Sequence, residues 1–402
     1  MLIHWIWLSR LTRLSTRDKL ALLDHFGDPE EIYHAGRHLL SNVDGMSEKA
    51  MEVLLDKDLA EATQIQKACA AMGIRMVAYT DQGYPPRLKN THEPPLVLYY
   101  KGILPDWEAM PAIGIVGTRK ATCYGTQVAE RLGCEIAACG GLVVSGGTDG
   151  LDTQAMLGAM KAGREVVAVL GFGADRVYPA KNRELFAQVE KQGCLLTEYI
   201  PGTPPHAWNF PSRNRIISGL SNGVLVVEAP EQSGALNTAR HALEQGRDLF
   251  VVPGNIDSPA SVGSNGLLRE GAMPCFSGWD VLREYESLYP HTVHYVDSRV
   301  SRELLVAETA VYPDLKPVKA QTPDKKSIDN REKSQYSVKE KALPALSEEE
   351  KLVLQYVTDT PQNVDGILAQ LDLPAGKVLS VLTMLAMKGV VENHPGKCVS
   401  LK

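Results

Sequence analysis

No run of apolar residues in this sequence approaches the ~20 needed to cross a bilayer, so no membrane span is expected. The apolar start, Met1-Leu-Ile-His-Trp-Ile-Trp-Leu, is short and lacks both a basic stretch before it and a small-residue cleavage site after it, and a signal peptide is not expected there. Positive charge is not in excess either. With a formal net charge of −6, no whole-protein field steers the chain toward a polyanion, and any such site has to be a local concentration of Arg and Lys. The seven cysteines, at positions 69, 123, 134, 139, 194, 275 and 398, include no CxxC pair and no Cys/His cluster at metal spacing. They read as reduced core residues of a cytoplasmic protein that holds no metal.

Chemical signatures are missing too. No GxxxxGK[ST] loop is present, which argues against nucleotide hydrolysis of the P-loop kind. Gly171-Phe-Gly173 follows the third expected strand of the central domain and lacks a third glycine, a poor match to the dinucleotide fingerprint, so no cofactor is expected. His206 and His241 stand alone, and no nucleophile, base and acid set emerges. No catalytic residue is assigned.

What is present is a long alternation of strand and helix. At 402 residues the chain divides into two or three domains. Residues 1–75 have helical periodicity broken at Gly27-Asp-Pro and at Asn42-Val-Asp-Gly, and read as a small helical domain of SAM or helix-hairpin-helix type. Plain helix packing is favoured there over a phosphate-holding turn. Residues 76–110 carry Tyr84-Pro-Pro and Glu93-Pro-Pro and read as an extended connection with one short strand at 96–100. Between 111 and 290, apolar strands at 112–116, 142–145, 166–170, 195–197, 224–227 and 249–252 alternate with helical stretches. That pattern is α/β: a Rossmann-like, mostly parallel sheet with helices on both faces.

Glycine-bearing loops follow almost every strand. They include Gly117-Thr-Arg-Lys-Ala-Thr-Cys-Tyr-Gly125, Ser145-Gly-Gly-Thr-Asp-Gly150 and Gly171-Phe-Gly-Ala-Asp-Arg-Val-Tyr-Pro-Ala-Lys-Asn182. In an open parallel sheet such loops converge on the carboxyl edge of the strands, where ligands bind. Tight turns need glycine regardless of ligand, but several such loops carrying Arg119, Ser145, Thr148, Lys181 and Asn182 favour an anion site. The stretch Phe210-Pro-Ser-Arg-Asn-Arg-Ile-Ile-Ser-Gly219 reads as a turn and helix start. There Arg213 and Arg215 would each offer a planar fork to a phosphate, with Asn214 and Ser212 as neutral donors and Phe210 or Trp208 available to stack on a base. Because this stretch precedes a strand, topology alone does not place it on the binding edge.

The loops at 117–125, 171–182 and 210–221, with Glu198-Tyr-Ile-Pro-Gly and Val252-Pro-Gly-Asn-Ile, resemble those of the bacterial DNA-processing protein A (DprA/Smf) family over nearly the whole chain. The resemblance implies a Rossmann-like domain that binds single-stranded DNA, protects incoming strands during natural transformation, helps load the RecA recombinase and pairs as a homodimer. It places DNA contacts on Arg119, on Ser145, Gly146 and Gly147, on Lys181 and Asn182, and on Phe210, Arg213, Asn214 and Arg215. The chain departs from the family pattern at Asp149, an acid on a loop expected to meet phosphate, and at Met156, where a histidine is common. A phosphoribohydrolase-type enzyme is the rival reading, but its PGGxGT loop with trailing glutamate is missing at Pro253-Gly-Asn-Ile.

Past residue 290 the composition changes. Residues 299–345, proline-bearing and lysine-rich with few large apolar side chains, read as a flexible linker. Residues 346–402 read as three short helices and a hairpin, a winged helix, with Ser347 as first N-cap. The third helix is largely apolar, which leaves groove reading and protein contact both open.

Overall fold

The computed structural model describes residues 2–297, 303–305 and, of the C-terminal region, 347–401 apart from 359–361, 369–370, 372, 389 and 395–397. The chain forms two units, Met1–Leu315 and Lys316–Lys402. Apart from 303–305, the stretch read as a linker lies outside the described residues.

The first unit opens with six helices: α1 (Leu2–Arg10), α2 (Thr16–Phe26), α3 (Pro29–His34), α4 (Arg37–Leu40), α5 (Glu48–Leu55) and α6 (Ala60–Ala71). Their starts are set locally. Ser15 caps α2 in a reciprocal box with Asp18, Asp28 caps α3 ahead of Pro29, and Ser47 caps α5. The apolar N-terminal stretch is the centre of this layer, for Trp5, Ile6, Trp7 and Leu8 of α1 are all buried.

After β1 (Arg75–Ala78) come α7 (Pro86–Lys89) and β2 (Val97–Gly102), and then the alternating domain begins. Its elements are β3 (Ala112–Val116), α8 (Cys123–Ala138), β4 (Leu142–Ser145), α9 (Leu151–Lys161), β5 (Val166–Val169), α10 (Arg183–Gln192), β6 (Cys194–Thr197), α11 (Asn209–Leu220), β7 (Gly223–Val226), α12 (Gly234–Glu244), β8 (Asp248–Val251), α13 (Val262–Arg269), β9 (Met273–Pro274) and α14 (Gly278–Leu282). One nine-stranded sheet contains β1 to β9, in the order β1-β2-β6-β5-β4-β3-β7-β8-β9. From β6 to β9 neighbouring strands run parallel, while β2 pairs antiparallel with β6 (Tyr99 opposite Thr197) and β1 antiparallel with β2 (Arg75 opposite Tyr100). The proline-rich segment read as a connection therefore contributes an antiparallel edge to the central sheet.

Alternation along the strands builds two cores. Ile113, Ile115 and Val143 face one side with Leu132, Ile136 and Met156 of α8 and α9. Ala112, Val116, Leu142 and Val144 face the other with Ile216, Ile217 and Leu220 of α11 and Ala239 of α12. Burial on both faces accounts for the near-continuous apolar reading of these strands. None of the seven cysteines is in a disulfide, and every one but Cys123 is buried.

The second unit is a winged helix. Helices Glu348–Leu354, Val364–Leu368 and Ala375–Met387 accompany β10 (Gln362–Asn363), β11 (Val391–His394) and β12 (Cys398–Leu401), which pair antiparallel in the order β10-β12-β11. Val353, Ile367, Val378, Leu382, Leu385, Val391 and Val399 form its core. The short β10 was not anticipated, and the turn at 395–397 lies outside the described residues.

Candidate functional site

Chain order along the sheet reverses between β3 and β7, since β4, β5 and β6 lie on one side of β3 and β7 and β8 on the other. The loops after β3 and β7 therefore diverge and leave a crevice at the carboxyl edge. In a dinucleotide-binding sheet a pyrophosphate sits here, on the N-terminus of the first helix. In this chain a carboxylate of its own fills that position. Glu228, 2% exposed, accepts the Thr122 hydroxyl at 2.6 Å and the Thr122 N–H at 3.1 Å, while Thr122 caps α8 through Gly125 N–H at 3.0 Å. A Cβ on Gly125 would collide with that carboxylate, which is why glycine stands there. Glu228→Gln keeps the shape but weakens the charge-assisted bonds, and is expected to lower stability by about 1–3 kcal/mol. An unchanged urea midpoint would show that the carboxylate charge has no part in holding the two loops.

Above this plug lies a groove of about 370 Å³ whose lining includes Thr118, Arg119, Lys120, Phe210, Arg213, Asn214, Gln232 and Ser233. Arg119 and Lys120 are exposed, and the Arg119 guanidinium lies 4.9 Å over the Phe210 ring. Neither cation forms an ion pair among the described residues. Phe210 is 7% exposed and packs against Phe172 and Tyr178, so it is the base on which Arg119 rests, not a free stacking surface. Two exposed rings lie nearby: Tyr178, against Phe210, and Trp208, 69% exposed and stacked on His206 at 4.4 Å.

The paired arginines require a correction. They were expected on a turn with the helix behind them, but α11 already begins at Asn209, because Pro211 is accommodated within a first turn. Two residues apart on a helix means about 200° of rotation, so Arg213 and Arg215 point to opposite sides. Arg213 is 2% exposed, donates from Nη1 to the Val169 carbonyl at 2.7 Å, and lies against Gly146, where a Cβ would collide with both its guanidinium and the Asp152 carboxylate. It forms the floor of the groove. Arg215 turns away and bonds Glu198 at 2.5 Å. Burial pushes the Glu198 carboxyl upward and Arg215 draws it back.

Three further expected donors are engaged inside the chain. Ser145 is fully buried and its hydroxyl donates to the Ile115 carbonyl at 2.7 Å; Asn182 is buried and its amide holds the Gly147 carbonyl at 3.0 Å and Thr153 Oγ1 at 2.9 Å. Gly147 takes a left-handed φ of 60°, which that clasp helps to hold. Lys181 is on the surface but bonds Asp149 at 2.6 Å, and neither residue lines the groove. The reason is general. A sheet edge made of glycine loops exposes many backbone groups, and the nearest polar side chains satisfy them before any ligand does. Of the expected residues, the structure brings together Arg119, Thr148, Phe210, Arg213 and Asn214 in one groove. Lys120 and the Gln232-Ser233 turn were missed, although Lys120 adjoins Arg119 in the same post-strand loop.

Fold and site together define a doubly wound α/β domain with a cationic groove at its switch point, followed by a winged helix. A family model described as DNA recombination-mediator protein A matches residues 75–286, and one described as the DprA winged helix domain matches 337–397. The chain belongs to the DNA-processing protein A (DprA/Smf) family. Protein Smf of Synechocystis sp. is 31% identical over 399 residues, 98% of this chain and 97% of its own length. DNA processing protein DprA of Bacillus subtilis is 37% identical over 254 residues, 63% of this chain and 84% of that one. The X-ray structure of DNA processing protein A from Streptococcus pneumoniae superposes with a TM-score of 0.62 at 32% identity, covering 71% of this chain and 98% of that one.

Proposed function

We propose that the protein is a non-enzymatic recombination mediator that binds single-stranded DNA in the groove at the switch point. The observation that carries this reading is the exposed pair Arg119 and Lys120, without carboxylate partners among the described residues, beside a nucleotide-phosphate position that Glu228 already occupies. A cationic trough of that kind suits a passing phosphate backbone better than a bound cofactor. Asn214 and Ser233 add neutral donors on the groove wall, Arg213 supplies positive potential from the floor, and Trp208 offers a face to an unstacked base. Membership of a family described as recombination mediators supports the class of function. RecA loading, action during natural transformation, a homodimeric state and a cytoplasmic location are part of the same proposal.

Fluorescence anisotropy of labelled poly-dT against duplex of equal length, at two salt concentrations, tests the reading. Tight binding to the single strand that falls steeply with salt is expected, and equal affinity for the duplex at matched salt would sink it. Release of free base from a nucleoside monophosphate would instead support the phosphoribohydrolase alternative. Sedimentation of the full chain reads the dimer directly, and strand-exchange yield with RecA on protein-coated single strands reads the loading.

Asp149 bears on whether the strand runs beyond the groove as far as Lys181. Its bond to Lys181 places an acid in competition with any phosphate that approaches Lys181. Both side chains are nearly half exposed, so the competition is modest. Asp149→Asn is expected to tighten poly-dT binding by about two- to fivefold at low salt. An unaltered affinity would mean that the strand does not pass Lys181.

A further inference from the structure

The face of α11 that carries Arg215 opens on a second cavity, between the N-terminal helices and the antiparallel edge of the sheet. Its volume is about 180 Å³, and its lining includes Arg10, Thr16, Lys19, Tyr99, Glu198 and Arg215. Three cations face one carboxylate, and Arg215 already holds that carboxylate. Arg10 has an outer partner in Glu61 at 2.9 Å. Lys19 forms no ion pair among the described residues: it is 8% exposed, and its ammonium donates to the Ser9 carbonyl at 3.0 Å. Burial, helped by the charge of Arg10, draws that ammonium down to about 8.

One more donor beside the cavity has no hydrogen-bond partner, the buried Arg215 Nη1, and the hydroxyl of Tyr99, a residue 1% exposed, lies next to Ser9 on the same lining. Buried polar groups are ordinarily satisfied, and a cluster rich in donors around an open volume calls for an acceptor that brings negative charge. A tetrahedral oxyanion meets those demands, because its oxygens accept from ammonium, guanidinium and phenol at once.

We infer that this cavity binds a phosphate-class oxyanion through Lys19, Arg10, Arg215 and Tyr99. The site goes beyond the DNA groove and does not depend on it. The chemistry has two sources, free phosphate or the terminal phosphate of a strand. A neighbouring cavity of about 630 Å³ shares Ser9, Arg10, Glu198 and Arg215 and extends to Pro211 and Ser212 at the start of α11. Pro211 also lines the DNA groove, so a strand end following the first turn of α11 has a route to Lys19.

Calorimetric titration of the full chain with inorganic phosphate tests this, with Lys19→Met, which retains the stem and removes the ammonium, and Arg119→Ala for comparison. Saturable binding by the wild type, at least tenfold weaker in Lys19→Met and unaltered in Arg119→Ala, is expected. Absence of saturable heat, or equal binding by a folded Lys19→Met, overturns the site; loss in Arg119→Ala moves the anion to the groove and overturns it equally. Short oligo-dT with and without a terminal phosphate then separates the sources. A preference for the phosphorylated strand that disappears in Lys19→Met assigns the strand end, and no preference, with phosphate still bound, assigns the free ion. Poly-dT anisotropy of Lys19→Met is expected to match the wild type, so failure here and failure of the DNA reading are distinguishable.

Discussion

Replacing Arg119 and Lys120 together by alanine is expected to weaken poly-dT binding by about 10- to 100-fold at 0.1 M salt. The slope of log affinity against log salt should flatten by about 1.4, since each phosphate contact on a single strand contributes about 0.7. Both side chains are exposed, and neither has an ion-pair partner among the described residues whose loss would complicate the measurement. Arg119 rests on the Phe210 ring, which fixes its guanidinium without neutralising it. An arginine held on an aromatic face and aimed at a groove loses less conformational freedom on binding than a free one. The double substitution should leave the thermal midpoint near that of the wild type, because surface changes of this kind are usually within about 0.5 kcal/mol. Salt-dependent binding that keeps its full affinity and slope in the double variant would move the DNA path away from the switch point.

The second large effect concerns stability. Arg213→Ala is expected to destabilise the first unit by about 3–5 kcal/mol, because it removes the largest favourable charge beside the buried Asp152 carboxylate. Asp152 is 5% exposed, accepts the Thr148 hydroxyl at 2.9 Å, and is held against burial chiefly by the Arg213 charge. The Val169 carbonyl loses its donor in the same change. Removing both charges with Arg213→Met and Asp152→Leu should recover much of the loss, as buried pairs replaced by apolar groups of similar size are often near neutral. Urea unfolding of the three proteins separates these cases. A single variant as stable as the wild type would place Arg213 outside the scaffold and restore it as a free phosphate donor. Loss of DNA binding in an Arg213 variant is therefore informative only when unfolding has been measured beside it. Arg215 is in a similar position through Glu198, although it is more exposed.

The parallel strands β3 to β8 and their order of alternation with helices were legible because apolar runs bounded by glycine loops are local signals, whereas the two-residue β9 was not anticipated. β3 and β4 fall on the residues expected, and β5 to β8 within a residue or two. The antiparallel edge of β1 and β2 was only half visible, since β1 is a four-residue strand too short to show its own alternation, even though Gly73 marks the turn before it. The groove was legible in two of its members, the exposed Arg119 and the half-buried Asn214. Arg119 announced itself by following a strand in a glycine loop, and Asn214 by its place beside two arginines. Ser145, Asn182 and Arg213 have the same donor chemistry, and nothing in the sequence tells a donor that faces a ligand from one that completes the fold.

The amino-acid sequence by itself determined the class: an α/β domain with a cluster of loop cations, a helical domain before it and a winged helix after it. Periodicity and turn chemistry act over a few residues and can be read without knowing the partners. Tertiary structure decided which cations remain available. Arg213 and Arg215 differ by two positions in sequence, yet the rotation of α11 buries one under the groove and turns the other toward Glu198. Glu228, far from Thr122 in sequence, fills the position where a nucleotide phosphate would sit. Side-chain direction and burial depend on where a helix begins and on what strand pairing brings beside it, and those contacts arise only when the sheet closes.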